Sequence, residues 1–407
     1  MIPLETTTFA ELGRVESRAD EVTGVQVDSR RIAPGDLFVA IGRGKEFLGE
    51  AFERGAAATL VPDDAFAALA AIGRAVRERS SARVVGITGS MGKTSTKDIL
   101  AALCMPSART IAAQASYNNE IGVPLTLCRL DRDTEVCILE LAMRGFGQIA
   151  ALAEIARPEI GVITNIGPVH LELVDSLEGV RRAKGELVDA LPAGGTAIVP
   201  SDFRVERDDI HVVHVAEPAT TTTHGRTDVG GVSFNFTARH QAQNAASALA
   251  ALDALGLPRP DRADVDFSRW RGDEEELPGG GLLINDAYNA NPVSMRAALA
   301  YLAERAGDRR RVAILGDMAE LGRTGPDYHR EVGEAAATLG VDELLAVGEL
   351  ARGYLEGGVS GRWVPNVHEA VRELGDVVRP GDAVLVKASR AVGLEAVAAA
   401  LTELTTA

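Results

Sequence analysis

Aromatic residues are scarce in this sequence: Phe, Trp and Tyr make up 4% of its 407 positions. That leaves no obvious stacking platform for a large apolar ligand. Cysteine is rare and odd in number, at Cys104, Cys128 and Cys137. The spacing fits no zinc ribbon, so reduced thiols in a cytoplasmic protein are expected. Cations are outnumbered, with 42 Lys and Arg against 58 Asp and Glu and a formal charge of −16. Such a chain lacks the cationic surface that nucleic acid or an anionic membrane would attract. No apolar run approaches the ~20 residues that span a bilayer, so no membrane insertion is expected. The opening MIPLETTTFAELGRV has no basic region leading into an apolar one, and no signal peptide is expected. Internal repeats and long low-complexity tracts are also missing.

What is present is ordinary globular composition, 46% hydrophobic and 25% charged. The length suits roughly two to four domains. Residues 1–80 read as a small α/β unit, with short strands in VTGVQVDSRR and GDLFVAIG and a helix feeding a strand in EAFERGAAATLVP. A helix is expected from Phe66 to Arg79. From Val84 to about 262, strands (VVGIT, EVCILELA, GVITNIG, GTAIVP) alternate with helical segments, which predicts a doubly wound, mostly parallel sheet. The polar run Thr220 to Thr223 reads as a loop between strands. A helix from Arg239 should stop at Gly256, with Pro258 beyond it. Residues 263–407 alternate again, with strands in GLLINDAYN, RRVAILGDM, DELLAVGE and DAVLVKASR. The fold class is therefore α/β, with three domains at 1–80, 81–262 and 263–407.

The strongest local signal is GITGSMGKTST, Gly86 to Thr96, which follows a strand and opens a helix. Gly86, Gly89 and Gly92 form a variant phosphate loop, because Ile87 sits where the strict pattern has its first Gly. Glycines let backbone amides approach phosphate oxygens, and the helix N-terminus adds positive potential. Lys93 would then meet the β- and γ-phosphates and Thr94 would ligate Mg²⁺. Glu140 ends a strand, where a carboxylate could hold a metal, though many strands end in Glu. His170 follows another strand and is a plausible Mg²⁺ ligand, or else a capping or surface histidine. Lys184, among Arg181, Arg182 and Glu186, reads by itself as part of a solvated charged face.

Further along, INDAYNANPVSMRAAL ends a strand in Asp286 and opens a helix at Pro292. Asn289 and Asn291 could hydrogen-bond a purine edge, and Arg271 upstream could grip a phosphate. Asp317 ends the strand of ILGDMAELG. Lys387 and Arg390 put two cations at the end of the last strand. Each has a surface-loop reading too, but their common position at strand C-termini argues against chance.

Taken together, the chain resembles the Mur ligase family. The strings VDSR, APGDLFVAI, GITGSMGKTSTKDIL, YNNEIGVPLTL, TNIGPVHLE, AKGEL, NDAYNANPVSMRAAL, ILGDMAELG and VKASR run in family order from residue 27 to about 395. YNNEIGVPLTL, and DAYNANP followed by LGDMAELG, point to the branch that adds D-alanyl-D-alanine to a UDP-muramoyl-tripeptide. The resemblance implies an N-terminal substrate domain, a central parallel-sheet ATPase domain and a Rossmann-like C-terminal domain that closes over the nucleotide. It implies ATP, two Mg²⁺ ions and an acyl phosphate made from a small-molecule acid, which then acylates an amino acid or dipeptide. A monomer is expected. By this resemblance the nucleotide set is Gly86, Thr88, Gly89, Ser90, Gly92, Lys93, Thr94, Ser95, Arg271, Asp286, Asn289 and Asp317. The metal set is Thr94, Glu140, His170 and Lys184, with Lys184 carbamylated. Lys93, Lys184, His170 and Arg271 carry the chemistry, and Ser29, Arg30, Asn118, Asn119, Lys387 and Arg390 face substrate.

The sequence departs from that pattern at the acid-substrate end. After VAI, GRGKEFLGEAF stands where the family usually has a longer loop with an Asp-Gly-His-Asp-Phe-like stretch. The central region before residue 240 is brief, and Ala388 stands where Gly is typical. A paralogue joining a different acid and amine in a specialised pathway is therefore the alternative. A P-loop ATPase making no amide would not need the NDAYNANP string. A degenerate binding subunit would lack Lys93, Glu140 or His170. A folate-type glutamate ligase would lack the VDSR region.

Overall fold

The structure is a computed structural model that describes residues 1–269 and 272–403. It divides into two compact units. The first holds residues 1–165, 183–237 and 241–266; the second holds 166–182, 238–240 and 267–407.

The first unit begins with a small mixed sheet. Gly13–Ser17 runs antiparallel to Ala58–Pro62, which is followed in parallel by Asp36–Val39 and Gly24–Gln26. The helix Ala65–Arg79 forms where expected. Asp64 starts it, its carboxylate accepting the N–H groups of Phe66 and Ala67 at 2.9 and 3.0 Å. Leu69, Ile72 and Val76 on one face are buried, each contributing about 1.5–3 kcal/mol. At Gly73 a Cβ would come 2.9 Å from the Pro124 backbone, so glycine there admits the close helix contact. Buried Arg77 spans to the carbonyl of Ala156 (2.9 Å) and to Glu159 (2.8 Å). These contacts make residues 1–80 continuous with the central sheet.

The central sheet is parallel throughout, ordered His211–Val215, Thr196–Pro200, Ile160–Ile163, Arg83–Thr88, Val136–Glu140, Thr110–Ala112. Its middle strands are buried apolar runs, as a sheet covered on both faces requires. The expected loop at Thr220–Thr223 is instead a strand, antiparallel to Arg226–Val229. Four β-branched residues favour extended backbone. His224 and Gly225 turn the hairpin with φ of 50° and 72°, the paired positive values of a tight hairpin turn. The helix Arg239–Ala254 ends as predicted, with Gly256 at φ 69° beyond it.

In the second unit the order is Asp273–Leu277, Gly281–Asn285, Ala383–Lys387, Arg311–Gly316, Glu343–Val347, Gly361–Val364. All pairs are parallel except the first, an acidic edge strand unforeseen in the sequence. Its charges discourage edge-to-edge pairing. Glu274 there accepts from Arg305 (2.7 Å) and Tyr301 (2.6 Å) on the helix Pro292–Ala306.

Residues 166–182 pack with this second unit rather than with the sheet they follow. The N–H of Glu172 donates to the carbonyl of Glu320, and the His170 ring is hydrogen-bonded to the Glu320 carboxylate. Among the described residues, no helix is long and apolar enough to cross a membrane. The three cysteines are free and buried, and burial pushes each thiol up to about 12.

Candidate active site

The strand Arg83–Thr88 lies mid-sheet and delivers the loop 89–92 to its C-terminal edge. Only glycine fits at two points of that loop. At Gly89 (φ 151°) a Cβ would lie 1.8 Å from Thr164 Oγ1, and at Gly92 (φ 79°) 2.2 Å from Asn244 Oδ1. Asn165 Oδ1 accepts the N–H groups of Ser90 and Met91 at 3.1 and 2.9 Å. Thr164 Oγ1 donates to the Met91 carbonyl at 2.5 Å. The loop is thus pinned from the neighbouring strand's end. Gly92 opens the helix Lys93–Cys104, whose first N–H groups have no helical acceptor and face the loop.

Lys93 Nζ folds back onto the Gly89 carbonyl at 2.8 Å, which places its charge over the loop. Thr88 Oγ1 is buried without a hydrogen-bond partner, so a polar ligand here would satisfy it. Ser90 and Ser95 are also buried. Gly86 sits back within the strand, where a Cβ would press on Leu141 and Leu187 at 3.2 Å; its smallness serves packing.

Next to the loop, Glu140 ends its strand with 1% exposure. Its Oε2 accepts from Thr94 Oγ1 and its Oε1 from Asn118 Nδ2, both at 2.8 Å. Asn119 Oδ1 accepts the N–H of Gly122 at 3.0 Å and fixes the turn into the helix Gly122–Leu127. Lys184 is 2% exposed and does not lie on a solvated charged face. Burial, and the charge of Lys93, push its ammonium well below the usual lysine value. A buried amine held neutral is nucleophilic and can add CO₂.

The thiol-free oxygens of Thr94 and Glu140 are the hard donors that Mg²⁺ takes alongside phosphate oxygens. Among the described residues there is no cluster of three or more His, Cys, Asp or Glu disposed to hold a metal by themselves. The hydroxyl of Thr94 and the carboxylate of Glu140 suit an ion shared with a phosphate ligand. Ser29 is buried in the turn Ser29–Arg31, while Arg30 is exposed and paired with Asp28 at 2.8 Å. That pairing draws the Asp28 carboxyl down to about 2.

In the second unit, three adjacent strand ends carry Asp286, Lys387 and Asp317. Lys387 is buried, donating to Asp286 Oδ2 at 2.5 Å and to the Asn289 carbonyl at 2.7 Å. It braces the NDAYNANP loop. Asn291 caps the helix Pro292–Ala306 in a reciprocal box with Ser294, which takes up its side-chain oxygen. Asn289 Oδ1 accepts the N–H of Ala290 at 2.9 Å. Asp317 Oδ1 accepts the N–H of Ala351 at 2.7 Å. Arg390 pairs with Glu395 at 2.9 Å. His170 precedes the short helix Leu171–Val174 in left-handed backbone, without a side-chain bond to it, and pairs with Glu320. Arg271 lies outside the described residues.

Residues 87–252 match the Mur ligase middle domain, and residues 274–390 match the Mur ligase glutamate ligase domain. The chain belongs to the Mur ligase family. This Mur ligase is 34% identical to the UDP-N-acetylmuramoyl-tripeptide–D-alanyl-D-alanine ligase of a Synechocystis strain, over 93% of its own length and 92% of the relative's. Its fold matches MurF from Acinetobacter baumannii with a TM-score of 0.85 at 27% identity, covering 98% and 99% of the two chains. It also matches the MurF ligase of Thermotoga maritima in complex with ADP, with a TM-score of 0.79 at 25% identity, over 94% and 98%.

Several polar residues around the candidate site are not singled out by the sequence reading. Asn165 holds the phosphate loop, and its signal is an amide directly after the apolar strand GVIT. Gln241 and Asn244 are buried on one helix face; Asn244 Nδ2 donates to Gln241 Oε1 at 2.9 Å. Polar residues three apart in an Ala-rich helix mark such a face.

Proposed function

We propose that this Mur ligase joins the carboxylate of a UDP-muramoyl-tripeptide to the amine of D-alanyl-D-alanine, using ATP and passing through an acyl phosphate. The observation that carries the reading is the Thr94–Glu140–Asn118 chain. It links the phosphate-loop helix, a buried carboxylate and the asparagine loop in two 2.8 Å hydrogen bonds. The names of the relatives supply the substrates.

A carboxylate is a poor acylating agent. Transfer of the γ-phosphoryl group to it releases ADP and makes an acyl phosphate, a mixed anhydride; the amine then attacks the acyl carbon, phosphate leaves, and the amine nitrogen gives up a proton as the amide forms. The loop amides and Lys93 hold the phosphates and offset the negative charge that builds on them. Thr94 and Glu140 would hold Mg²⁺, which when bound adds charge neutralisation at the same oxygens. Lys184, once carbamylated, becomes an anionic oxygen donor, and His170 is proposed as a further metal donor. Asn118 and Asn119 orient the acid toward the phosphates. In the second unit, Asp286, Asn289, Asp317 and Arg271 are proposed nucleotide groups, and Arg390 a substrate group. We read residues 1–80 as the acid-binding part, 81–262 as the ATP part and 263–407 as the third domain.

One observation favours a second reading of the acid. GRGKEF forms a short turn, Gly42–Phe47, running directly into the helix Leu48–Glu53, and the longer family loop is missing there. A different acid would then be used by the same machinery. Phosphate release from ATP and Mg²⁺ separates the two. Release requiring both the UDP-muramoyl-tripeptide and D-alanyl-D-alanine, with a product of summed mass less water, establishes the first. No release with that pair, but release with another acid and amine, establishes the second.

A further inference from the structure

Lys97 lies one helical turn beyond Lys93, on the same helix; it is 3% exposed, and its ammonium bonds to the segment 113–115. A buried ammonium is costly unless its protons are all taken. Here they are taken by Asp98 Oδ1 (2.7 Å) and by the carbonyls of Ala113 (2.8 Å) and Ala115 (3.2 Å). Two of the three acceptors are thus backbone oxygens of the segment that leads into Asn118 and Asn119.

That segment is not at rest in an ordinary conformation. Ala115 has φ 46°, a left-handed backbone that a residue with a Cβ adopts at a cost of order 1 kcal/mol or more. Something must hold it there. Lys97 grips the carbonyl of Ala115 itself and that of Ala113 two residues before. From the other side, Arg31 donates to Tyr117 Oη at 3.2 Å and to Gln114 Oε1 at 3.4 Å. Arg31 adjoins the VDSR turn, in the same compact unit. Residues 113–117 are therefore clamped between the nucleotide helix and the amino-terminal region.

We infer that Lys97 is a positioning residue for the acid substrate: it ties the segment 113–119 to the nucleotide helix, so that Asn118 and Asn119 meet the acid at a fixed distance from Lys93. Lys97 touches neither substrate. Its effect runs through the loop, and the nucleotide site keeps its own anchors at Asn165 and Thr164. The inference rests on the proposed reaction for the identity of the acid, but the conformational part needs no acid at all.

The test compares wild type with Lys97→Met, which keeps the length of the side chain and removes the cation, and Lys97→Arg, which keeps the cation. Three quantities are read: amide hydrogen exchange of residues 113–119 without substrate, the Kd of a non-hydrolysable ATP analogue, and the KM for the UDP-muramoyl-tripeptide. In Lys97→Met, exchange of 113–119 should quicken and the acid KM should rise about tenfold or more, with the analogue Kd within about threefold of wild type. Lys97→Arg should recover part of both effects. Unchanged exchange, or analogue affinity lost in step with the acid KM, overturns the inference. If Lys97→Met does not fold, Arg31→Ala replaces it, since that side chain is exposed. Faster exchange of 113–119 with a raised acid KM and unchanged analogue Kd then supports the clamp, and no change in either overturns it. Should wild type not consume this acid, the reaction reading fails by itself. The exchange and Kd readouts still decide whether Lys97 holds the loop.

Discussion

Thr94 Oγ1 donates to Glu140 Oε2 at 2.8 Å, so the phosphate-loop helix and the adjacent strand end share one hydrogen bond at the mouth of the sheet. The other carboxylate oxygen accepts from Asn118. Thr94 and Asn118 therefore need two acceptors, and Glu140 supplies both. Glu140→Gln keeps the shape but turns an NH₂ toward one of the two donors. It should lose about 1–3 kcal/mol of stability from the unsatisfied contact and at least about 100-fold in kcat from the missing charge. Thermal melting and phosphate release measure the two effects. A variant with wild-type turnover would remove Glu140 from the machinery.

Lys184 is expected to carry a carbamate. Burial and Lys93 hold its pKa well below that of free lysine, so the neutral amine that CO₂ requires is present nearer neutrality. Acidification protonates the amine and drives the carbamate off. With ¹³C-bicarbonate, a carbonyl signal should appear in wild type at pH 8, weaken as pH falls, and be missing from Lys184→Ala. Turnover of wild type should rise with added bicarbonate after degassing, and that of Lys184→Ala should not. Equal signals in the two proteins would remove the assignment.

The parallel sheets, the phosphate loop and its helix were legible because each rests on local signals. Buried strands read as apolar runs, Gly89 and Gly92 mark backbone no other residue tolerates, and Gly256 stops a helix. The errors have equally specific causes. The polarity of TTTT suggests a loop, but β-branching and the His224-Gly225 turn make it a strand. The capping role of Asn291 has a local signal in Ser294 three residues on, the other half of the box, which the purine-edge reading of the amide passes over. Lys184 and Lys387 were invisible as buried groups, because burial of a cation is set by elements far apart in the chain. Lys387, for instance, meets Asp286 from a strand that the topology inserts beside Gly281–Asn285. The pairing of His170 with Glu320 is likewise beyond local pattern.

His329 gives a pH dependence whose sign follows from its contacts. Its Nε2 accepts the N–H of Met318 at 3.0 Å and its Nδ1 donates to the carbonyl of Gly325 at 2.7 Å. The ring must be neutral to accept, and burial lowers its pKa below the ordinary 6.5. His240 is lowered too, mainly by burial. The unfolded chain therefore binds protons first on acidification. Stability is intact above the unfolded value near 6.5 and is lost as pH falls through the folded pKa. Melting temperature should decline below about pH 6.5. His329→Gln, which can still accept and donate, should shrink that decline while melting lower at pH 8, through lost packing on Tyr354, whose ring centroid lies 4.9 Å away. An unchanged pH slope would assign the decline elsewhere.

Lys387 and Asp286 are coupled, and the coupling can be measured. Lys387 is 2% exposed and Asp286 21% at the side chain. Removing one member of a buried pair strands the other, at about 3–5 kcal/mol when both are fully desolvated. Water still reaches Asp286, so Lys387→Met should fall at the low end of that range. Lys387 also holds the carbonyl of Asn289, so the loop 286–291 should loosen. Adding Asp286→Asn removes the stranded charge and should recover part of the melting temperature, which is the non-additivity expected of contacting residues. Hydrogen exchange across 286–291 separates the two roles. Recovered melting with exchange still fast means the charge pair supports stability while the Lys387–Asn289 bond fixes the loop. Strictly additive melting shifts would mean that the two residues, though in contact, stabilise the unit independently.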